Sequence, residues 1–167
     1  GTYVAGLVGR NNGTIEHAYA AGDVDAGGNH YAAGLVANNS YHGTINRSYA
    51  TGDVDDGADS TGGFVGVNLG AIDTANASGE VNGDDSVGGL VGSHHGSINR
   101  SYATGAVNGN GDEIGGLVGG NRPTGTINRT YAVGAVTGNS DVGGLVGSDA
   151  GTVNDSYWDT ETSGQTT

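Results

Sequence analysis

Apolar residues recur along this chain in a fixed order. The tetrad Gly6-Leu7-Val8-Gly9 returns as Gly34-Leu35-Val36-Ala37, Gly63-Phe64-Val65-Gly66, Gly89-Leu90-Val91-Gly92, Gly116-Leu117-Val118-Gly119 and Gly144-Leu145-Val146-Gly147, at steps of 28, 29, 26, 27 and 28 residues. A second element, Gly-Thr-Ile or a near variant, begins at Gly13, Gly43, Gly70, Gly96, Gly125 and Gly151. In the first five copies a valine follows 11 positions later, at Val24, Val54, Val81, Val107 and Val136. That interval never varies and the others do. Length changes are therefore confined to corners, where a surface turn absorbs them and a stacked strand does not. Helical repeats of this period need apolar residues every 3.6 positions and few glycines, and 36 Gly among runs of β-branched residues exclude them. The pattern predicts an all-β fold: a β-solenoid, or β-helix, of about six coils of ~27 residues. The repeats cover residues 1–155, and 156–167 form a C-terminal cap or connector.

The columns predict which side chains point inward. Alternate positions after the second element read Ala18, Ala20, Gly22, Val24, then Ser48, Ala50, Gly52, Val54, and so on to Thr130, Ala132, Gly134, Val136. This parity is small and ends in valine, so it belongs inside, and the polar, variable parity between belongs outside. The Leu-Val pair of the tetrad is apolar at both positions. Either a corner turns both inward, or the leucines form an outer contact stripe. In the sixth copy Trp158 takes the place of the inward alanine, which predicts a lid over the last coil. Thr2-Tyr3-Val4-Ala5 offers the first coil no such lid, which predicts a neighbouring domain or subunit stacked there.

Composition changes this picture only in part. Leu, Ile, Val and Phe supply 30 of 167 residues and the net charge is −13, a pairing that by itself points to disorder. Periodic placement overrules that inference, because a repeated apolar pattern builds a repeated core. Fourteen Asp and four Glu face five Arg and no Lys. Such a surface repels phosphate backbones and anionic lipid, so neither nucleic acid nor membrane is an expected partner. The balance is that expected of a halophilic protein, since a Debye length of roughly 3 Å at 1 M salt removes the self-repulsion, and an acidic secreted protein is the alternative. With no Cys there is no disulfide or thiol chemistry, and no apolar run is long enough to span a membrane.

The residues also carry a resemblance. Gly-Gly-Leu-Val-Gly at 88–92, followed by Gly-Ser-Ile-Asn-Arg-Ser-Tyr-Ala-Thr-Gly at 96–105, resembles the GLUG-motif repeats of bacterial and archaeal surface proteins. Ser156-Tyr157-Trp158-Asp159-Thr160 resembles the close of such arrays. The resemblance implies a cell-surface or adhesin-like setting and brings no catalytic residues with it.

Candidate chemistry is sparse. His42 and His95 fall at equivalent corners two coils apart, roughly 9.6 Å along the axis, too far to share a zinc ion. All five histidines read as solvated corner residues. Acidic corners, Asp53, Asp55, Asp56 and Asp59 in one and Asp84-Asp85 in another, read as solvated acid, with weak Ca²⁺ or Na⁺ binding as the sharper alternative, although their spacing matches neither an EF-hand nor a nonapeptide calcium repeat. Seven Asn begin Asn-x-Ser/Thr sequons: Asn12, Asn38, Asn46, Asn76, Asn99, Asn128 and Asn154. Asn46, Asn99, Asn128 and Asn154 share one column and predict a stacked amide ladder, and of the three others Asn12 and Asn38 are kept as glycosylation candidates. In the next column Arg47 is expected to pair with Glu16 and Asp73, and Arg129 with Asp155.

The expected function is a non-catalytic structural or adhesive module of an extracellular fibre, stalk or adhesin, stacked on neighbouring subunits or domains and facing cell-surface glycans. A polysaccharide-binding or polysaccharide-cleaving β-helix is the rival. Glycosidase chemistry wants two carboxylates within roughly 5–10 Å, and the acids here are spread over corners.

Overall fold

A computed structural model describes residues 2–28, 30–57 and 59–166. Its strands are short and pair exclusively in parallel, each with its counterpart one coil away. They make four sheets. The first holds strands Thr2–Ala5, His30–Ala33, Ser60–Gly62, Val87–Gly88, Asp112–Gly115 and Ser140–Gly143, and the second runs in the same way from Val8–Asn11 to Val146–Asp149. The third carries the second element and the segment after it, from Thr14–Glu16 and Tyr19–Ala20 to Thr152–Asn154 and Tyr157–Trp158. The fourth is five strands deep, from Val24–Asp25 to Val136–Thr137. The molecule is thus a β-solenoid of five full turns and a partial sixth, and its stacking continues to Trp158, past residue 155.

The invariant interval is explained by the register. Ile45, Ile72, Ile98 and Ile127 stack on one another, as do Ala50, Ala77, Ala103 and Ala132, and Val54, Val81, Val107 and Val136. Adding one residue within this stretch would turn every later side chain to the opposite face. The small parity lies inside as the columns predict: Ala50, Ala103 and Ala132 are buried and Thr51 and Thr104 exposed. Ala103→Leu is therefore expected to cost about 1–3 kcal/mol through overpacking and Thr104→Leu close to nothing. Equal losses in urea titrations would overturn this assignment.

At the tetrad, both side chains turn inward. The chain bends at Gly34-Leu35, and the amides of Leu35 and Val36 both donate to the Phe64 carbonyl of the next coil, at 3.1 and 3.0 Å. This corner between two sheets points two consecutive residues into one interior. Leu35, Phe64, Leu90 and Leu117 are fully buried, and no outer leucine stripe exists in the inner coils. Leu7, in the first coil, is 48% exposed. The interior itself is divided. One cluster joins the tetrad side chains to the isoleucine and alanine columns, and a second joins Val54, Val81, Val107 and Val136 to Ala32, Val87 and Ile114.

A second corner uses backbone that L-residues seldom adopt. His17, Arg47, Thr74, Arg100, Arg129 and Asp155 all have φ between 45° and 55°. This left-handed bend breaks the carbonyl–amide ladder, and serine hydroxyls mend it. Ser48, Ser101 and Ser156 accept the amides of Ala18, Ala75 and Thr130 at 3.0–3.2 Å and donate to the carbonyls two residues earlier in their own coils. The serines of a nominally small-residue column thus have a specific task.

At the C-terminal end the Trp158 ring lies against Gly144, where an added Cβ would come within 2.1 Å of it. The ring, too large for the alanine site of the inner coils, rests against Gly144 instead. A short helix, Thr160–Ser163, follows, with Asp159 as N-cap and Gly164 at φ 71° closing it. Beyond it the Gln165 amide donates to the Val136 carbonyl at 3.1 Å, supplying the partner that a sixth strand of the fourth sheet would have offered.

Candidate functional site

The most organised polar array is an amide ladder inside the corner between the second and third sheets. Asn11 Nδ2 donates to Asn39 Oδ1 at 2.9 Å, and Asn39 Nδ2 donates to Asn68 Oδ1 at 2.8 Å. Each amide nitrogen also reaches a carbonyl of the next coil, Thr44, Ala71 or Ser97 in turn. In the fourth coil His94 stands in the asparagine position, fully buried. Asn68 Nδ2 lies 3.2 Å from its Nδ1, and its Nε2 lies 3.2 Å from the Thr126 carbonyl oxygen. An amide nitrogen only donates and a carbonyl only accepts, so the ring is neutral, with its proton on Nε2. Burial lowers the His94 pKa to about 4, with the Thr126 bond opposing the shift and His95 adding to it. The imidazole has no donor left for Asn121, whose buried Oδ1 has no partner. The ladder resumes with Asn121 Nδ2 donating to Asp149 Oδ1 at 2.8 Å.

This is a different column from the one the sequons suggest. Asn99, Asn128 and Asn154 stack in register and Asp73 separates them from Asn46, but no side-chain hydrogen bond joins these asparagines, and the side-chain oxygens of Asn46 and Asn99 are buried without partners at the left-handed corner. His94 is likewise no solvated corner residue, whereas His42 is exposed. Asn38, a glycosylation candidate, is 7% exposed and accepts the Ser40 hydroxyl, so its amide is enclosed; Asn12 is exposed.

The acids hold backbone rather than one another. Asp53 accepts the Glu80 amide at 2.8 Å, and buried Asp56 accepts the Gly28 amide at 2.9 Å. Asp55 and Asp59 are exposed, Asp55 being stacked directly on Asp25. Among the described residues no three His, Cys, Asp or Glu side chains are grouped so as to hold a metal ion. Arg47 pairs with Glu16 at 3.2 Å, but Asp73 pairs with Arg100, and no ion pair joins Arg129 to Asp155. A stronger unit lies between corners in coils four and five. Arg122 grips Glu113 with two bonds of 2.7 and 2.8 Å, and Ser86 donates to the same carboxylate. Burial pushes the Glu113 carboxyl up, and the Arg122 and Ser86 bonds bring it back below its ordinary value.

On the outer face of the third sheet runs an aromatic column, Tyr19, Tyr49, Tyr102, Tyr131 and Tyr157, carried by one outward position of the repeat. Tyr19 stacks on Tyr49 at 5.3 Å and Tyr102 on Tyr131 at 4.8 Å, within 9° and 2° of parallel. Tyr102 lies beside Tyr131, whose hydroxyl is pushed up by burial and by that neighbour. The recurrence of tyrosine at a fixed offset was the signal in the sequence that could have revealed this column.

The family model of the GLUG motif matches residues 1–25, which is the first coil. No curated protein and no solved structure matches the chain. The later coils repeat the columns of the matched one in a single β-solenoid stack, and the likeness to the GLUG motif itself is confined to the first coil. Among the described residues no helix is long and apolar enough to cross a membrane.

Proposed function

We propose that this stack of coils is a non-catalytic spacer and display module in an extracellular fibre, stalk or adhesin. The observation that carries the reading is the continuity of the parallel strands, hydrogen-bonded along one axis from coil to coil, with stretches of a buried amide ladder and of an outer aromatic column beside them. Such a stack resists bending and transmits tension through nearest-neighbour contacts. Pulled from its two ends, it should unwind in steps of about 90 Å, the extended length of one coil. Release of the whole chain in one step would count against a coil-by-coil spacer. Labelling of intact cells with a membrane-impermeant reagent tests the surface location, and an unlabelled chain would sink it.

Leu7 supports a partner on the first coil. The polarity of the ladder favours a different domain there over a second copy. Asp149 ends the ladder with a carboxylate, which has no N–H to donate to Asn11 Oδ1.

The acidic surface supports a setting in concentrated salt. Asp25 stacks on Asp55 in register, and Asp23 and Asp53 lie one coil apart, each accepting the next coil's amide. These like charges repel at low ionic strength. The melting temperature should climb from low salt toward molar KCl, and a flat profile would refute the halophilic reading. A full gain from millimolar Ca²⁺ at fixed ionic strength would favour the acidic-corner cation site instead.

The exposed tyrosine column supports polysaccharide binding as a second reading. Retardation in gels containing a neutral polysaccharide, lost on Tyr131→Ala, is its test.

A further inference from the structure

The tyrosine column has one gap. Asn76 takes the third-coil position, in register between Tyr49 and Tyr102. The rings on either side pair off away from it, Tyr49 with Tyr19 and Tyr102 with Tyr131. One face of Tyr49 and one face of Tyr102 therefore confront each other across two coil spacings, about 9.6 Å. A ring seated midway would lie about 4.8 Å from each, inside the contact range of stacked rings. Asn76 forms the floor of this slot. It is partly exposed on the outer face, and its amide makes no hydrogen bond among the described residues. Residues 76–78 read Asn-Ala-Ser, with Ser78 exposed, which is the acceptor sequence for N-linked glycosylation.

We propose that Asn76 is a glycosylation site, and that the first sugar of its glycan fills the slot between Tyr49 and Tyr102. The proposal rests on the extracellular reading above. The sugar comes from a lipid-pyrophosphate-linked oligosaccharide. A bond forms between Asn76 Nδ2 and the anomeric carbon as the bond from that carbon to the pyrophosphate oxygen breaks. Nδ2 loses one proton and the lipid pyrophosphate departs. Strand Ala71–Ala77 is bonded on both sides, so transfer occurs on the chain before this coil closes. After folding the side chain points outward, and the sugar displaces nothing in the core. Its C–H groups meet the two tyrosine faces, and its hydroxyls remain in water.

The other sequons lack this setting. Asn38 is enclosed, the oxygens of Asn46 and Asn99 are buried, Asn128 and Asn154 lie in that same column and outside the tyrosine column, and Asn12 has no flanking pair of rings.

The test is expression of the full chain behind a secretion signal, in a host with an N-glycosylation pathway, with a reporter sequon on a flexible C-terminal tail. Peptide mass spectrometry should find Asn76 occupied along with the reporter. An occupied reporter beside a bare Asn76 overturns the site, whatever the natural address of the protein, which the cell-labelling experiment decides separately. Enzymatic removal of the glycan should lower the melting temperature by about 2 °C or more. That loss should vanish in the Tyr49→Ala, Tyr102→Ala double variant. A glycan whose removal changes neither protein overturns the seat between the rings.

Discussion

Replacing Gly89 with alanine is expected to cost about 3 kcal/mol or more, the upper range for overpacking. A Cβ at this position would stand 2.2 Å from the Gly116 carbonyl oxygen and 3.0 Å from Ala103 Cβ. The first is backbone of the next coil and the second is a buried core atom, so neither yields without the coils moving apart. Separation would weaken the bonds from Leu90 and Val91 to the Leu117 carbonyl, at 2.9 and 3.0 Å, just where the chain turns its corner. The same clash recurs at Gly34, Gly63 and Gly116, each 2.2–2.3 Å from the next coil's carbonyl oxygen. The tetrad begins with glycine because the coils approach too closely there for a side chain. Gly13 provides the control. A Cβ there meets nothing within 4 Å, so Gly13→Ala should be neutral, or stabilising by about 0.4–1 kcal/mol through the unfolded chain. Equal losses for the two variants in urea titrations would show that close approach is not what the tetrad glycine serves.

The second large effect is expected on acidification. His94 titrates near 4 when folded and near 6.5 when unfolded. As pH falls below 6.5 the unfolded chain binds a proton that the folded chain refuses, so stability declines between pH 6.5 and 4 and levels off below. The full drop from this residue is about 3 kcal/mol. Protonation would also place a donor on Nδ1 facing the Asn68 amide, whose own oxygen is already held by Asn39. Carboxylates titrate toward the acid end of the same range, so the measurement is the difference between the protein and His94→Asn. The variant restores the residue found in four other coils and gives Asn121 Oδ1 a donor, for a gain of about 1 kcal/mol at neutral pH. Its stability should lack the histidine-linked decline. Parallel pH profiles for the two proteins would contradict the burial and protonation assigned to His94.

These two sites differ in how far they could be read from the chain. The Gly89 tetrad stands out because it recurs at a nearly constant step, and a steric demand repeated in every coil leaves a repeated residue. The ladder was equally periodic, since Asn11, Asn39, Asn68, His94, Asn121 and Asp149 each fall three residues after the tetrad valine. It was hidden because those positions border a corner of variable length, where inward and outward parity cannot be counted through the bend. Asn46, Asn99, Asn128 and Asn154 drew attention instead, being regularly spaced. They sit beside the left-handed corner, whose backbone turn sends their amides away from one another's reach. The pairing of Asp73 with Arg100 rather than Arg47 was undecidable in the same way, because both arginines are one coil from it.

Strand repetition, coil number, the inward alanine and valine columns and the confinement of insertions to corners all followed from the sequence. Each depends on period alone, and a period of parallel stacking is conserved from coil to coil. Tertiary structure decided that Leu and Val of the tetrad share one interior, that a histidine lies buried within an asparagine ladder, and that serine hydroxyls mend the bonds broken at the left-handed bend. These outcomes depend on the angle at which the chain leaves each corner. That angle is set by contacts between coils, which no single repeat contains.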